Sequence, residues 1–577
     1  MIRTTPRSSG VSRADASPRA ALAARLARCQ HRLILAFPAI GLLLFLVETV
    51  VERPNPLWVT ALALWCAVLT AIVASFRTPR GRGLIAAADR HAGPLAAGLI
   101  LVSAATFVAV SALQIASFAL GAHAEDSAYY GQVLWNTLNG RFLSGNLQQE
   151  RLYHPAVSSD LALHVSPALL AFLPAYALAP HPLTLMILRD IAIAVAAWPL
   201  FLLARELLGG AVGLAVVVLY LANAAVIAQA TEALYLLQFA PLPFFLALRA
   251  FARSRLASFT VWAAAAIALR EDAAIAIAGF GVLALVSRRR LPWLACGLGL
   301  PVAWWVLATL VIQPLFGRWG NSALDVALAA HGPTPVSTYR RLVDVLSWLP
   351  AAFTGEGLHY LYRLLRTVAL LPISGVHGTL ALPPLAANLF LSGALPAAVV
   401  DTSRFALLPA CALIGSAVLV ASRASTPHKA LLGAWLVLVP SASLIDGAKD
   451  AIQERLKNHT VWNDAAALRE GLAFVPAEAS VAAPHYALPA LANRRRLYYL
   501  QYLDAYPGAA PDYVLLDRDL ERVGGGPERR AHYALLLRQL TESPDYTAIW
   551  SRKDYLLIRR VGVTIDDRND DPRVKSR

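Results

Sequence analysis

Two groups of ionisable residues interrupt otherwise oily stretches of this chain. Glu125 and Asp126 follow a long apolar run, and Arg270-Glu271-Asp272 breaks another. A charge at membrane depth costs roughly 2.5–3.5 kcal/mol on insertion scales, so such residues are retained chiefly where they face a wet cavity, a partner charge or a ligand. Asp126 precedes Tyr129, Tyr130, Gln132, Trp135 and Asn136. On a helix, positions 126, 129, 130 and 133 share a face, which sets the carboxylate beside two phenols. A partly desolvated carboxylate can act as general base toward a hydroxyl, with Glu125 as its neighbour. Aromatic and amide groups beside it suit the face and hydroxyls of a sugar. The same tyrosines and tryptophan also fit an interfacial aromatic belt with solvated carboxylates, and the residues alone leave both readings open.

Arg270 could grip an anionic head group, because a guanidinium matches phosphate oxygens in a forked geometry, with Glu271 and Asp272 orienting it or the substrate. An internal ion pair is the competing reading. Arg189-Asp190 is a candidate partner pair for this triad. Arg404 is a further candidate phosphate contact, although a snorkelling anchor fits it too. His164, in the stretch His164-Val165-Ser166-Pro167, could bind phosphate, assist proton transfer or ligate a metal. His123, His154 and His181 lie nearby, but their irregular spacing is no paired-ligand motif. No cofactor is firmly implied, and a divalent metal stays open.

The elements that position these groups read as membrane spans. The 577 residues are 57% hydrophobic and 15% charged, with mean hydropathy +0.54. Soluble domains carry about 25% charge, so lipid is the expected solvent. Apolar runs recur at the length needed to cross a hydrocarbon core of about 30 Å. The formal charge of +15 does not point to nucleic acid, because the arginines cluster between spans and set orientation. The cysteines, Cys29, Cys66, Cys296 and Cys411, match no zinc or redox spacing.

Residues 1–32 read as a disordered basic cytoplasmic tail. Residues 33–446 read as a transmembrane domain, with spans at 33–51, 57–75, 93–120, 182–204, 211–230, 234–252, 291–312, 405–421 and 430–446. Hairpins are expected at 257–287, with the charged triad at its outer tip, and at 364–400; for 257–287 a single long helix with a buried charged triad is the competing picture. Outer loops fall at 121–181 and 313–362. About 11–13 crossings result, with the N-terminus cytoplasmic and the C-terminal domain outside the cytoplasmic membrane. Residues 447–560 read as a small α/β domain: helices over 462–474 and 531–540, strands at 480–483, 497–500 and 513–516, and a hairpin-like pair at 546–550 and 555–558. The tail 561–577 reads as disordered. The fold class is thus an all-α polytopic membrane bundle with a small C-terminal extracytoplasmic α/β domain.

The stretch 126–140 (DSAYYGQVLWNTLNG), His164-Val165-Ser166-Pro167, Pro174-Ala175-Tyr176, the run 199–205 (PLFLLAR), Arg270-Glu271-Asp272, Arg494-Arg495-Arg496 and the run 512–517 (DYVLLD) together resemble the bacterial membrane proteins grouped as domain of unknown function 2079. That family is similar to the GT-C glycosyltransferases, which use polyprenyl-phosphate-linked sugars at the outer membrane face. The resemblance implies a GT-C-like helical bundle, a polyprenyl-phosphate sugar as donor, membrane lipid as partner, and Asp126 in the role of base. A second acidic residue usual in the family's first-loop motif appears here as Gly131, the His-Pro-Glu stretch expected near 236–238 reads Leu236-Leu237-Gln238, and a histidine usual near 402 is Thr402.

The leading expectation is transfer of a sugar from the lipid carrier to an outer-face acceptor, with inversion. Tyr129, Tyr130, Gln132, Trp135, His164, Arg270, Glu271, Asp272 and Arg404 are the expected substrate contacts. A transporter or lipid flippase lined by the same charges is the first alternative. A catalytically degenerate scaffold of the cell envelope is the second.

Overall fold

Beyond the isolated residue 36, the computed structural model describes residues 78–121, 123–148, 159–316, 354–392, 396–424, 459–506, 508–523 and 526–563. The expected tail 1–32, the spans at 33–51, 57–75 and 430–446, most of the loop at 313–362, and most of the tail from 561 lie outside them. So does His154.

Three described helices are long and apolar enough to cross a membrane: α1 (Pro79–Ala116), the pair α3 (Pro182–Val195) and α4 (Ala197–Leu208) that runs on as one, and the helix Leu291–Phe316. A fourth span is bent by 51° between α5 (Gly210–Leu221) and α6 (Ala224–Thr231). Asn223 restarts the chain as N-cap of α6, its side chain accepting from the Ala225 amide. The remaining helices are shorter. They include α2 (Ala124–Leu138) in the first loop, α7 (Pro241–Ala252), α8 (Leu256–Ile267) and α9 (Ala273–Val286). Beyond 354 come α10 (Gly355–Thr367), α11 (Leu382–Leu391) and α12 (Leu407–Ala421). At 1.5 Å per residue, α8 and α9 span only about 18–21 Å, so this hairpin is shorter than a bilayer core.

Two expectations about boundaries change. The arginine-rich connector before the span at 93–120 is itself helical from Pro79, because Thr78 caps the helix through the Gly81 amide and Pro79 sits at its first position. The span expected at 234–252 opens with a 3-10 turn, Leu236–Phe239, and only then becomes α7.

Arg189-Asp190 is not the partner of the charged hairpin tip. Both side chains are fully buried in α3, with Arg189 Nε 2.8 Å from Asp190 Oδ1. The guanidinium also donates to the carbonyls of Gln229, Ala230 and Glu232 at 3.2, 3.3 and 2.7 Å. Those carbonyls close the C-terminal end of α6, where a helix leaves acceptors unpaired and favours a cation. Ser111 Oγ and Gln238 Oε1 complete the arginine's partners. This pair builds the break in the α5–α6 span.

The C-terminal part is a five-stranded sheet in the order β2-β1-β3-β5-β4. β1 (Val481–Ala483) pairs in parallel with β2 (Leu497–Tyr499) and β3 (Tyr513–Asp517). β5 (Tyr555–Arg560) runs antiparallel to β3 and to β4 (Tyr546–Arg552). The central strand β3 is buried throughout, as expected of a strand covered on both faces. Helices α13 (His459–Leu472) and α14 (Pro527–Glu542) accompany the sheet. Arg522 ties it together, donating to both oxygens of Asp517 at 2.9 and 3.0 Å, to Asp464 and to Asp554.

Replacing Arg189 by Met should cost about 3–5 kcal/mol, because Asp190 is left as an uncompensated buried charge. The double change Arg189→Met, Asp190→Leu should recover only part of that loss, since the helix-end carbonyls stay unpaired. Thermal unfolding of the detergent-solubilised protein measures both. Full recovery in the double variant would show that Arg189 only neutralises Asp190.

Candidate functional site

Helix α2 begins at Ala124 and carries Glu125 and Asp126 in its first turn, where the helix dipole favours negative charge. Glu125 is buried, while Asp126 keeps 14% side-chain exposure. Both oxygens of Asp126 are engaged. Oδ1 accepts from Gln148 Nε2 at 2.6 Å, and Oδ2 accepts from Arg404 at 2.9 Å.

Arg404 sits in the turn that leads into α12, and its guanidinium lies over the ring of Tyr235 at 5.0 Å. Arg270 lies over the same ring at 4.4 Å. One buried phenol therefore carries two guanidiniums, each gaining about 0.5–2 kcal/mol from the ring quadrupole. Arg270 Nε is 3.3 Å from Asp272 Oδ2, within ion-pair range. It is too poorly aligned for a hydrogen bond, so Nε and NH1 of Arg270 and Oδ1 of Asp272 are buried without hydrogen-bond partners among the described residues.

The other half of the hairpin tip faces the first loop. Glu271 Oε1 meets His164 Nδ1 at 2.9 Å, and Oε2 accepts from the Val165 amide at 3.0 Å. Burial opposes the charge on Glu271, but His164 and Arg270 outweigh it and hold the carboxyl down at about 2. Asp272 goes the other way, raised by burial with Glu271 adding to it and Arg270 opposing.

Tyr129 and Tyr130 pack edge to face with centroids 4.8 Å apart. Tyr129 donates its hydroxyl to Asp160, a fully buried carboxylate. Burial raises the Asp160 carboxyl to about 6, against the opposing pull of Tyr129 and His164. Tyr130 is pushed up by burial and lies within electrostatic reach of Arg270, Asp126, Asp160 and Arg404.

Of the residues expected from the sequence, Asp126, Tyr130, Arg270, Asp272 and Arg404 come together, with His164 and Glu271 adjoining. Gln132 does not join them. It is fully buried and makes a structural joint: Nε2 donates to Asn146 Oδ1 at 2.8 Å, and Oε1 accepts from the amides of Asn146 and Leu147. Asn146 Oδ1 also accepts from the Leu497 amide of β2, and Tyr506 donates to the Leu147 carbonyl. Six residues further along α2 than Asp126, Gln132 faces the C-terminal domain. Trp135 packs under the Arg141 guanidinium at 5.2 Å and belongs to the far side of α2.

Gln148, Tyr235 and Asp160 were not among the expected residues. Gln148 and Tyr235 carry no local signal, since each is recruited by long-range packing. Asp160 does carry one, standing four residues before His164 in an apolar stretch; its carbonyl accepts from the His164 amide at 2.8 Å. Among the described residues, no three His, Cys, Asp or Glu side chains come together as a metal-holding group.

Fold and site together define a polytopic membrane protein in which a first-loop helix brings a carboxylate to two arginines, joined to a C-terminal α/β domain. The chain belongs to the family described as predicted membrane protein, domain of unknown function 2079, whose model matches residues 114–557. No curated protein matches it. Among solved structures, ArnT from Cupriavidus metallidurans in the apo state aligns with 12% identity and a TM-score of 0.35, covering 79% of this chain and 97% of that one. The same protein bound to undecaprenyl phosphate aligns with 11% identity and a TM-score of 0.37, covering 79% and 98%. Similarity of this order gives no residue-by-residue correspondence.

Two outcomes follow. Gln132→Ala leaves buried donors and acceptors unpaired and should cost about 1–3 kcal/mol. Hydrogen exchange should accelerate in residues 144–148 and at the start of β2; unchanged protection there would refute the joint. Asp160 has a folded-state carboxyl raised above its unfolded value, so it penalises the folded state above pH 6, and the penalty fades as pH falls toward 4. Asp160→Asn should therefore raise the melting temperature at pH 7.5 and leave it unchanged near pH 4. An equal shift at both values would exclude ionisation as the cause.

Proposed function

We propose that this protein transfers a sugar from a polyprenyl-phosphate carrier to an acceptor at the outer face of the cytoplasmic membrane. The observation that carries the reading is the Asp126 carboxylate 2.9 Å from Arg404, with Arg404 and Arg270 stacked on one tyrosine and Arg270 holding two buried N–H groups that lack acceptors among the described residues. An anion with several oxygens would satisfy those groups, and a phosphate does so in forked geometry. As the anion draws Arg404 toward itself, Asp126 is freed to accept the proton of an attacking hydroxyl.

The reaction is a single displacement at the anomeric carbon, with inversion. Asp126 takes the acceptor proton while Arg270 and Arg404 stabilise the charge that gathers on the departing phosphate. Glu125 contributes negative potential beside the base, and Tyr130 lines the site between carboxylates and arginines. The apolar bundle supplies the setting for the lipid chain. The C-terminal domain and the polar cluster then lie on the same, extracytoplasmic side.

Asp126→Asn should lower turnover at least about 100-fold, the usual worth of a positioned general base, with expression and melting temperature nearly unchanged. Thin-layer separation of lipid-linked sugars incubated with the purified protein reads the product. Retained turnover in this variant would remove Asp126 from the chemistry. Arg270→Lys, which keeps the charge but loses the fork, should weaken transfer by about tenfold or more in the same assay.

A further inference from the structure

The glycosyl-transfer reading leaves the His164–Glu271 pair without a task. Glu271 is committed at both oxygens, one to His164 Nδ1 and one to the Val165 amide. The backbone around His164 is fixed as well: its amide bonds the Asp160 carbonyl, and the Leu163 carbonyl accepts from Gln313 at 3.1 Å. Nδ1 is therefore occupied and the ring is oriented, while the side chain keeps 12% exposure against 6% for Glu271. This is the arrangement of a proton-transfer imidazole and the carboxylate that orients it, in which the free Nε2 does the work.

The charged groups around His164 are the carboxylates of Glu271, Asp272 and Asp160, with Arg270 acting on all three of them. Arg270 directly precedes Glu271 in the chain and carries the two N–H groups without acceptors. An anion seated on Arg270 lies next to the imidazole's partner.

Resting on that transfer reading, we infer that His164 is the acid that protonates the departing phosphate, so that the carrier is released as a protonated phosphate monoester. The bond from the anomeric carbon to the phosphate oxygen breaks, and its electron pair stays on that oxygen. The acceptor oxygen bonds to the anomeric carbon and its proton passes to Asp126. The Nε2 proton of His164 passes to the phosphate, and solvent restores it afterwards. A phosphate monoester takes up its second proton at about pH 6, which sets the pH window of the test.

If the pair were only a structural tie between the first loop and the hairpin tip, His164→Asn would change nothing, because asparagine keeps a nitrogen near the Nδ1 position for Glu271. The same variant removes Nε2, so it separates the two roles. The full-length protein in nanodiscs is titrated with undecaprenyl phosphate between pH 8.5 and pH 5.5, beside His164→Asn. Affinity of the wild type should rise across that range about tenfold more than that of the variant, the worth of one charge-assisted hydrogen bond. Ligand ionisation affects both proteins equally and cancels in the comparison. Identical pH dependence, with the variant's melting temperature unchanged, would overturn the inference. Inorganic phosphate titrated in parallel should bind at least about tenfold more weakly, for lack of a lipid chain to bury. Equal binding would overturn the assignment to a lipid-linked leaving group. Turnover abolished in Asp126→Asn with unaltered pH dependence in His164→Asn sinks this inference alone. No lipid-linked sugar turnover by the wild type beside the expected phosphate binding sinks the transfer reading alone.

Discussion

The Asp126–Arg404 ion pair joins segments 278 residues apart and fixes where the first-loop helix meets the end of the bundle. A half-buried carboxylate and guanidinium give up hydration that their attraction only partly restores, so such a pair is weak support for stability. What it supplies here is position. Arg404 is held from below by α12, which is buried along its whole length, and from the side by the Tyr235 ring. The turn that bears it is braced by Asn388, which donates to the Phe405 carbonyl at 2.9 Å, and by the Arg363–Asp401 pair at 3.0 Å. Asp126 thus faces a cation whose own backbone has little freedom.

The opposite face of α2 is clamped by the C-terminal domain. Gln132 reaches the Asn146–Leu147 backbone, and Asn146 reaches β2. Tyr176 donates to Asn493 at 2.7 Å, adding a second tie across the same boundary. Two residues beyond Asn146 comes Gln148, the second partner of Asp126. A short path of two hydrogen bonds and the intervening backbone therefore leads from the sheet to the carboxylate, and displacement of the domain would be felt at Asp126 through Gln148. The close approach also needs Gly131: a Cβ there would stand 3.0 Å from the Ala492 side chain and 3.0 Å from the Tyr176 hydroxyl.

Much of this was legible from local pattern. The hairpin at 257–287, with its charges at the tip, follows from basic clusters at both ends and a charged interruption midway. The C-terminal strands are short apolar runs bounded by turn residues, and those at 497, 513, 546 and 555 begin where their tyrosine and leucine runs begin. Asp126 and Arg270 were readable because charge is costly in such surroundings. The partners of those charges were not. Nothing near Tyr235 marks it as a shelf for two arginines. Gln132 looks like a sugar ligand by composition, yet its position on the helix turns it toward the sheet. Arg189-Asp190 looked like a remote partner because sequence shows the charges but not the open helix end between them and the hairpin.

The departures from the family's usual polar positions acquire a physical meaning in this light. Leu236 and Leu237 are buried apolar residues, and Gln238 is buried among Gln229, the Tyr235 amide and Arg189. Arg189 is already neutralised by Asp190, so a glutamate at 238 would bring a second carboxylate to one cation, whereas a neutral amide can both accept from Arg189 and donate to Gln229. At 402 the backbone carbonyl accepts from Gln229 at 3.4 Å. Gly131 is set by contact with the C-terminal domain. Positions 131, 236–238 and 402 thus serve packing joints around the Asp126 cluster, and the carboxylate and the two arginines form that cluster without them.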